Sequence, residues 1–266
     1  MLKSKQNPLI RTGYLLVLVV LVACQSGGKT AQAPTATFSL PTPILVVADL
    51  PSPTPQITST STPTPVVETP TAEPTATPAF PDEFYISGVR GHKQYFPIGC
   101  EAGVAVDWAA FFGEEINEFN FQYELPLSDN PDLGFVGEVH SPWGQTPPYG
   151  YGVHAAPIAE LLQQYGLPAR AAKGFTLEQV KQELSSGEPL IAWVIGNMVG
   201  GVPAEYTDKA GNTTIVAAYE HVVLLTGYDS DSIRYNNNGK VFEAPTDVFL
   251  SSWGVLGNMV VYFDAP

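Results

Sequence analysis

Beyond residue 81 the chain carries two hydrophobic rhythms, a helical one first and a strand-like one later. Starting at Glu101, apolar residues recur at Val104, Trp108, Phe111 and Phe112, and Gly113 follows as a residue suited to a left-handed helix end. A second helix is expected over 114–123 and a third over 154–164 (HAAPIAELLQQ), with Gly166 just past it. Thr176-Leu177-Glu178-Gln179 is a capping-box pattern: the Thr hydroxyl accepts a backbone N–H and the Gln side chain returns the bond. It predicts a fourth helix ending near Leu184, before Ser-Ser-Gly.

The rhythm then changes. Residues 189–195 (PLIAWVI) and 221–228 (HVVLLTGY) are continuous apolar runs of buried-strand length. Shorter runs at 232–236, 240–243 and 259–263 (MVVYF) read as the rest of a meander. Helices followed by strands predict an α+β domain, a helical half with a central helix packed on an antiparallel sheet. The passage 125–152 is rich in Gly and Pro and is expected as a long loop.

The first 81 residues have neither rhythm. Lys3, Lys5 and Arg11 precede an apolar run at 14–23 (YLLVLVVLVA), too short to span a bilayer but the length of a signal-peptide core. The run ends in Leu21-Val22-Ala23-Cys24, which resembles the lipobox of bacterial lipoproteins. That resemblance implies cleavage before Cys24, a lipid on its thiol, and a membrane anchor on the extracytoplasmic face. Residues 24–81 are dominated by Pro, Thr, Ser and Ala (PSPTPQITSTSTPTP). They lack the apolar content for a core and are expected as a semi-stiff tether, on the order of 150 Å at full polyproline extension. Three segments follow: 1–23 signal peptide, 24–81 tether, 82–266 folded domain.

Charge narrows the partners. The 82–266 domain has 8 Lys and Arg against 23 Asp and Glu, a net charge of −15. Such a surface repels nucleic acid, so no nucleic-acid partner is expected. The domain holds a single cysteine, so no internal disulfide is available to an exported protein. Neither a metal nor a cofactor is expected from the residue pattern.

That lone cysteine, Cys100, stands at the predicted start of the first helix, where unpaired N–H groups and the helix dipole favour a thiolate. A buried structural thiol is the other reading, and helix position alone leaves both open. A nucleophile needs a base. His92, His140 and His154 sit in or beside loops, whereas His221 opens an apolar strand after Tyr219-Glu220 and would be held rigidly at a domain edge. The next strand ends in Asn236-Asn237-Asn238, which can set an amide oxygen beside the His221 ring; Asp229, in the intervening turn, is the alternative orienter. Gln94, six residues before Cys100, can bring an amide N–H toward an oxyanion.

The order Gln94, Cys100, His221, Asn237 resembles that of papain-like cysteine peptidases. QYFPIGC and HVVLLTGYDSDSIRYNNN are similar to the two motif blocks of the bacteriocin-processing (double-glycine) peptidase-like family, and GVHAAPIAELLQQYG to a third conserved segment. The resemblance implies a papain-like fold over 88–263, Cys100 as nucleophile, His221 as base, Asn237 as orienter and Gln94 as oxyanion donor. It also implies a peptide or protein substrate. Trp143, Gly144 and Tyr151, in the Gly-rich loop, are the candidate substrate-binding residues. Glu101 departs from the pattern, standing where the bacteriocin-processing enzymes have Gly and papain has Trp. Its carboxylate is expected to raise the pKa of the neighbouring thiol. The alternatives are a non-catalytic binding module for peptides or cell wall on the same scaffold, or another cysteine hydrolase such as a cell-wall endopeptidase. A transglutaminase-like enzyme requires a shorter Cys-to-His separation than the 121 residues here.

Overall fold

The computed structural model describes residues 80–264. The expected signal peptide, Cys24 and all but the last two residues of the expected tether lie outside the described residues. Nine strands and five helices run in the order β1 (Phe84–Tyr85), α1 (Cys100–Phe111), α2 (Glu118–Glu124), α3 (Ala155–Gln164), β2 (Ala169–Ala172), α4 (Leu177–Ser185), β3 (Leu190–Ile195), β4 (Ala204–Thr207), β5 (Thr213–Val216), β6 (Glu220–Tyr228), β7 (Ser232–Asn237), β8 (Lys240–Pro245), α5 (Thr246–Trp253) and β9 (Val260–Phe263). Helices lead and strands follow, as the pattern predicts. Among the described residues no helix is long and apolar enough to cross a membrane.

An antiparallel sheet of order β2-β9-β3-β6-β7-β8 organises the domain, and β1 pairs with β6 beyond the end of β3. Strands β3 and β6 are buried along their whole length. The reason is that both sheet faces are covered. Ile191, Trp193, Val222 and Leu224 point into the core beneath α1 and α3, whereas Leu190, Ala192, Val223 and Leu225 point into the core beneath α4 and α5. With a side-chain period of two and apolar cover on each side, every position must be hydrophobic, hence the unbroken runs. Each fully buried aliphatic side chain contributes about 1.5–3 kcal/mol by leaving water.

Helix α1 lies under the same cover and is buried nearly all round, and the Trp108 indole donates to the Pro189 carbonyl at 2.7 Å. Gly113 ends it with φ +91, a left-handed conformation that costs glycine little. The capping box of α4 forms with both reciprocal bonds. Helix α2 starts later than expected, because Asn117 caps it by accepting from the Asn120 N–H at 3.2 Å.

The meander is correct for β6-β7-β8 and wrong for the last strand. β9 does not continue past β8; it inserts between β2 and β3. Val260 and Val261 enter the two opposite cores, so β9 needs cover on both faces. β8, with Lys240 to Glu243 exposed, is an edge strand with no such cover beyond it. Five of these elements went unpredicted. β1 has two residues, β2 (ARAA) has no β-branched side chain, the β4–β5 ribbon is short and largely exposed, and α5 is a brief helix.

Candidate active site

Cys100 is the first residue of α1, so its side chain projects from the helix N-terminus. It is nearly inaccessible, and its Sγ–H donates to Glu101 Oε2 at 3.2 Å. Burial pushes the thiol well above its ordinary pKa, and the carboxylates of Glu101 and Glu220 push the same way; the Val222 N–H opposes them. The expectation that Glu101 would raise the thiol is met at contact distance.

His221 and Asn237 meet because β6 and β7 are antiparallel neighbours with Leu224 opposite Asn236. The Asn237 Oδ1 lies 2.9 Å from His221 Nε2, so the amide oxygen accepts the ring N–H. That bond selects the tautomer and leaves Nδ1 as the nitrogen able to take a proton. Burial lowers the His221 pKa against the bond to Asn237, which keeps the ring neutral near pH 7. The Trp143 indole stands edge-on to His221 at 6.0 Å between centroids and is pinned by its Nε1–H to the Glu220 carbonyl at 2.8 Å.

The other candidates for the third group are occupied. Asp229 accepts from the backbone N–H groups of Asp231 and Ser232 within its own turn. Asn236 Oδ1 accepts from the Gly239 N–H. Asn238, at φ +51, donates to Asn237 Oδ1 at 3.0 Å and accepts from the Gln94 N–H at 3.1 Å. It thus fastens the Gln94 loop to the His221 orienter. The Gln94 side-chain amide donates to the carbonyls of Phe96 (2.8 Å) and Pro97 (3.4 Å), not to a site beside the Cys100 N–H.

His92, a simple loop residue by sequence, holds this loop from behind. Its ring bridges Asp107 (2.6 Å) and Glu118 (2.8 Å), and Glu118 Oε1 accepts the Tyr95 N–H. His154 sits on the far side of the domain's long loop, fully buried against Asp132.

Gln94, Cys100, Trp143, His221 and Asn237 line one cleft of roughly 680 Å³. Gly144 and Tyr151 do not line it. Gly144, at φ +96, packs flat against the Tyr219 ring. Tyr151 is buried with its hydroxyl 3.2 Å from His154 Nε2, so its expected place on the substrate wall is corrected by its direction.

Sequence reasoning missed Glu220. It shares the strand parity of Val222 and Leu224, the residues that face α1, and this parity was the available signal. The Cys100 sulfur and one oxygen each of Glu101 and Glu220 all lie within 4.8 Å of one another, a spacing within reach of a shared cation.

Comparison with known proteins places this geometry. The profile of the Peptidase_C39 like family matches residues 86–260, well over half the chain and all of the site. The chain belongs to the Peptidase_C39 like family. A crystal structure from Bacillus anthracis, described as a C39-like peptidase, superposes with a TM-score of 0.62 at 20% identity, covering 70% of this chain and 99% of that one. The fold is therefore papain-like α+β. The uncharacterized Bacillus subtilis protein YvpB is 32% identical over 146 residues, 52% of this chain and 54% of its own length. The uncharacterized Mycobacterium tuberculosis protein Rv1268c is 30% identical over 122 residues, 40% of this chain and 51% of its own. The C39-like chain thus spans about half the length of the curated relatives it matches.

Proposed function

We propose that this C39-like domain is a cysteine peptidase that hydrolyses peptide bonds with Cys100 as nucleophile. The observation that carries the reading is the 2.9 Å bond from His221 Nε2 to Asn237 Oδ1, in a cleft that Cys100 also lines. His221 Nδ1 takes the thiol proton as the sulfur attacks the scissile carbonyl, then returns it to the leaving amine. Water repeats the cycle on the thioester. The Cys100 N–H, at a helix N-terminus, donates to the oxyanion. The Gln94 amide supplies the second donor once it releases the Phe96 carbonyl. Asn237 holds the ring through both half-reactions.

The LVAC sequence at Cys24 and the Pro/Thr-rich stretch support a further part of the proposal, that the peptidase is lipid-anchored through Cys24 on the extracytoplasmic face of a bacterial membrane. Metabolic labelling with a fatty-acid probe, lost in Cys24→Ala, tests it.

A second reading has one observation behind it. The thiol donates to Glu101 rather than to a base, which suits a binding module with no turnover. A peptide-library screen of the domain 82–266, beside Cys100→Ala and His221→Ala, separates the two. Cleavage by the wild type and none by either variant is expected. Hydrolysis that survives in Cys100→Ala, or a screen with no cleaved peptide, overturns the peptidase reading.

A further inference from the structure

Glu101 and Glu220 pose a problem of charge. Both are almost wholly buried, and they lie beside each other beneath the nucleophile. Glu101 Oε1 accepts the Val153 N–H at 2.7 Å and Oε2 accepts from Cys100. Glu220 Oε1 is buried with no hydrogen-bond partner. The groups facing the pair are Cys100 from α1 and Tyr151 from the loop before α3, while His221, next to Glu220 on β6, turns to the opposite sheet face; among the described residues none that faces the pair is Lys or Arg. Two carboxylates this close and this buried, with no Lys or Arg facing them among the described residues, do not both ionise readily. The backbone is shaped to the pair as well. Gly152, at φ +124, passes so close to Glu101 Oε1 that any Cβ there would collide with it.

We propose that Glu101 and Glu220 hold one proton between them and that this proton governs the ionisation of Cys100. While the proton is present the pair carries a single charge, and when Glu101 takes that proton its Oε2 changes from acceptor to donor toward the sulfur and accommodates the thiolate. When the proton leaves, two negative charges beside the sulfur hold it as the thiol. The pair is a positioning and tuning device, and His221 remains the base. Burial raises both carboxyls, so the pair keeps a proton at a pH where exposed carboxylates have lost theirs.

The proposal deepens the peptidase reading, yet its test needs no substrate. The pH dependence of Cys100 alkylation by iodoacetamide is measured for wild type, Glu101→Gln and Glu220→Gln. The wild type is expected to show a second ionisation that suppresses alkylation on the alkaline side. Each Gln variant loses that step, and Glu101→Gln reacts at least tenfold faster at pH 8. Superimposable profiles overturn the proposal. Infrared spectra of the same proteins supply a check independent of alkylation. A protonated-carboxyl C=O band at pH 6 that disappears by pH 9 and is missing from Glu101→Gln and Glu220→Gln supports it, the comparison setting aside Glu183, which is also raised to about 7; no such band overturns it, as does a stoichiometric divalent metal in the purified protein.

A separate observation bears on substrate class and rests on the peptidase reading. The cleft wall includes Lys93 and Lys240 and no carboxylate, in a domain where acidic residues outnumber basic ones nearly three to one. Neither lysine takes part in an ion pair among the described residues. Trp143, Tyr95 and Phe242 open their rings to the same space. At physiological salt, screening over about 8 Å lets this local pair outweigh the distant net charge. We infer that the cleft takes peptides rich in acidic and aromatic residues. Binding of acidic and basic peptides of matched aromatic content to Cys100→Ala, read by fluorescence anisotropy, tests this without turnover. Acidic peptides are expected to bind at least tenfold tighter, with the preference abolished in Lys93→Glu/Lys240→Glu. Equal or reversed affinity overturns it and leaves the cleavage screen to judge the peptidase reading.

Discussion

Two acidic sites lie within one domain and behave as opposites. Asp132, in the loop before α3, accepts from His154 Nδ1 (2.6 Å), Lys173 Nζ (2.6 Å) and Thr214 Oγ1 (2.7 Å). Three donors hold its carboxyl well below the usual carboxylate range despite its partial burial. Glu101 and Glu220 have one backbone N–H and one thiol between them, and their carboxyls rise instead. The difference is partnership, since burial raises all three. A carboxylate with donors is a structural anchor; a carboxylate pair without them is a proton store.

The sharpest way to break that contrast is Asp132→Ala. It removes three charge-assisted hydrogen bonds and leaves Nδ1 of the fully buried His154 without its carboxylate. A loss of about 3 kcal/mol is expected in denaturant unfolding at pH 7. The Asp132 carboxyl is depressed in the fold, so its contribution is fully present above the ordinary value of 3.8 and is lost as pH falls below it. If Asp132→Ala costs no more than Glu220→Gln, the two sites are not different in kind.

A smaller effect of opposite sign is expected from Glu101→Gln. The Glu101 carboxyl is raised from 4.5 to about 7, so the folded state binds its proton more tightly than the unfolded chain does. The stability it lends is present below pH 4.5 and drains away as pH rises toward 7. Glu101→Gln removes that slope and gains on the order of 1 kcal/mol at pH 8, read from thermal unfolding across pH 4–9. A variant less stable than wild type at pH 8 contradicts the proton-store reading.

The smallest effect belongs to His92→Gln. Its ring is well exposed; partial burial lowers its pKa, but the hydrogen bonds to Glu118 and Asp107 together raise it above the ordinary value. Its contribution is fully present below the ordinary 6.5 and is lost as pH rises through the raised value. Loss of about 0.5 kcal/mol is expected. Because Glu118 also holds the Tyr95 N–H, the kcat of the proposed peptidase is expected to fall several-fold with KM little changed. An unchanged kcat would detach this loop from the chemistry.

Much of the architecture was legible because its causes are local. The Thr176–Gln179 cap, the left-handed Gly113 and the unbroken apolar runs of β3 and β6 follow from short-range sterics and from burial on both sheet faces. So were the positions of Cys100 and His221, since a cysteine at a helix start and a histidine at a strand head are readable one element at a time. Strand order was not. Nothing within MVVYF says whether it neighbours β8 or β3; that choice is made by which position buries both Val260 and Val261.

By itself, then, the sequence determined the main helices, the buried strands β3 and β6 and the family resemblance, because periodicity, capping and motif spacing act over a few residues. Only the tertiary structure decided that Tyr151 turns to His154, that Asn238 ties the Gln94 loop to Asn237, and that Glu220 lies beside Glu101 beneath the thiol. Glu101 and Glu220 are far apart along the chain. Their shared charge exists only once α1 is laid across β6 and water is excluded from between them.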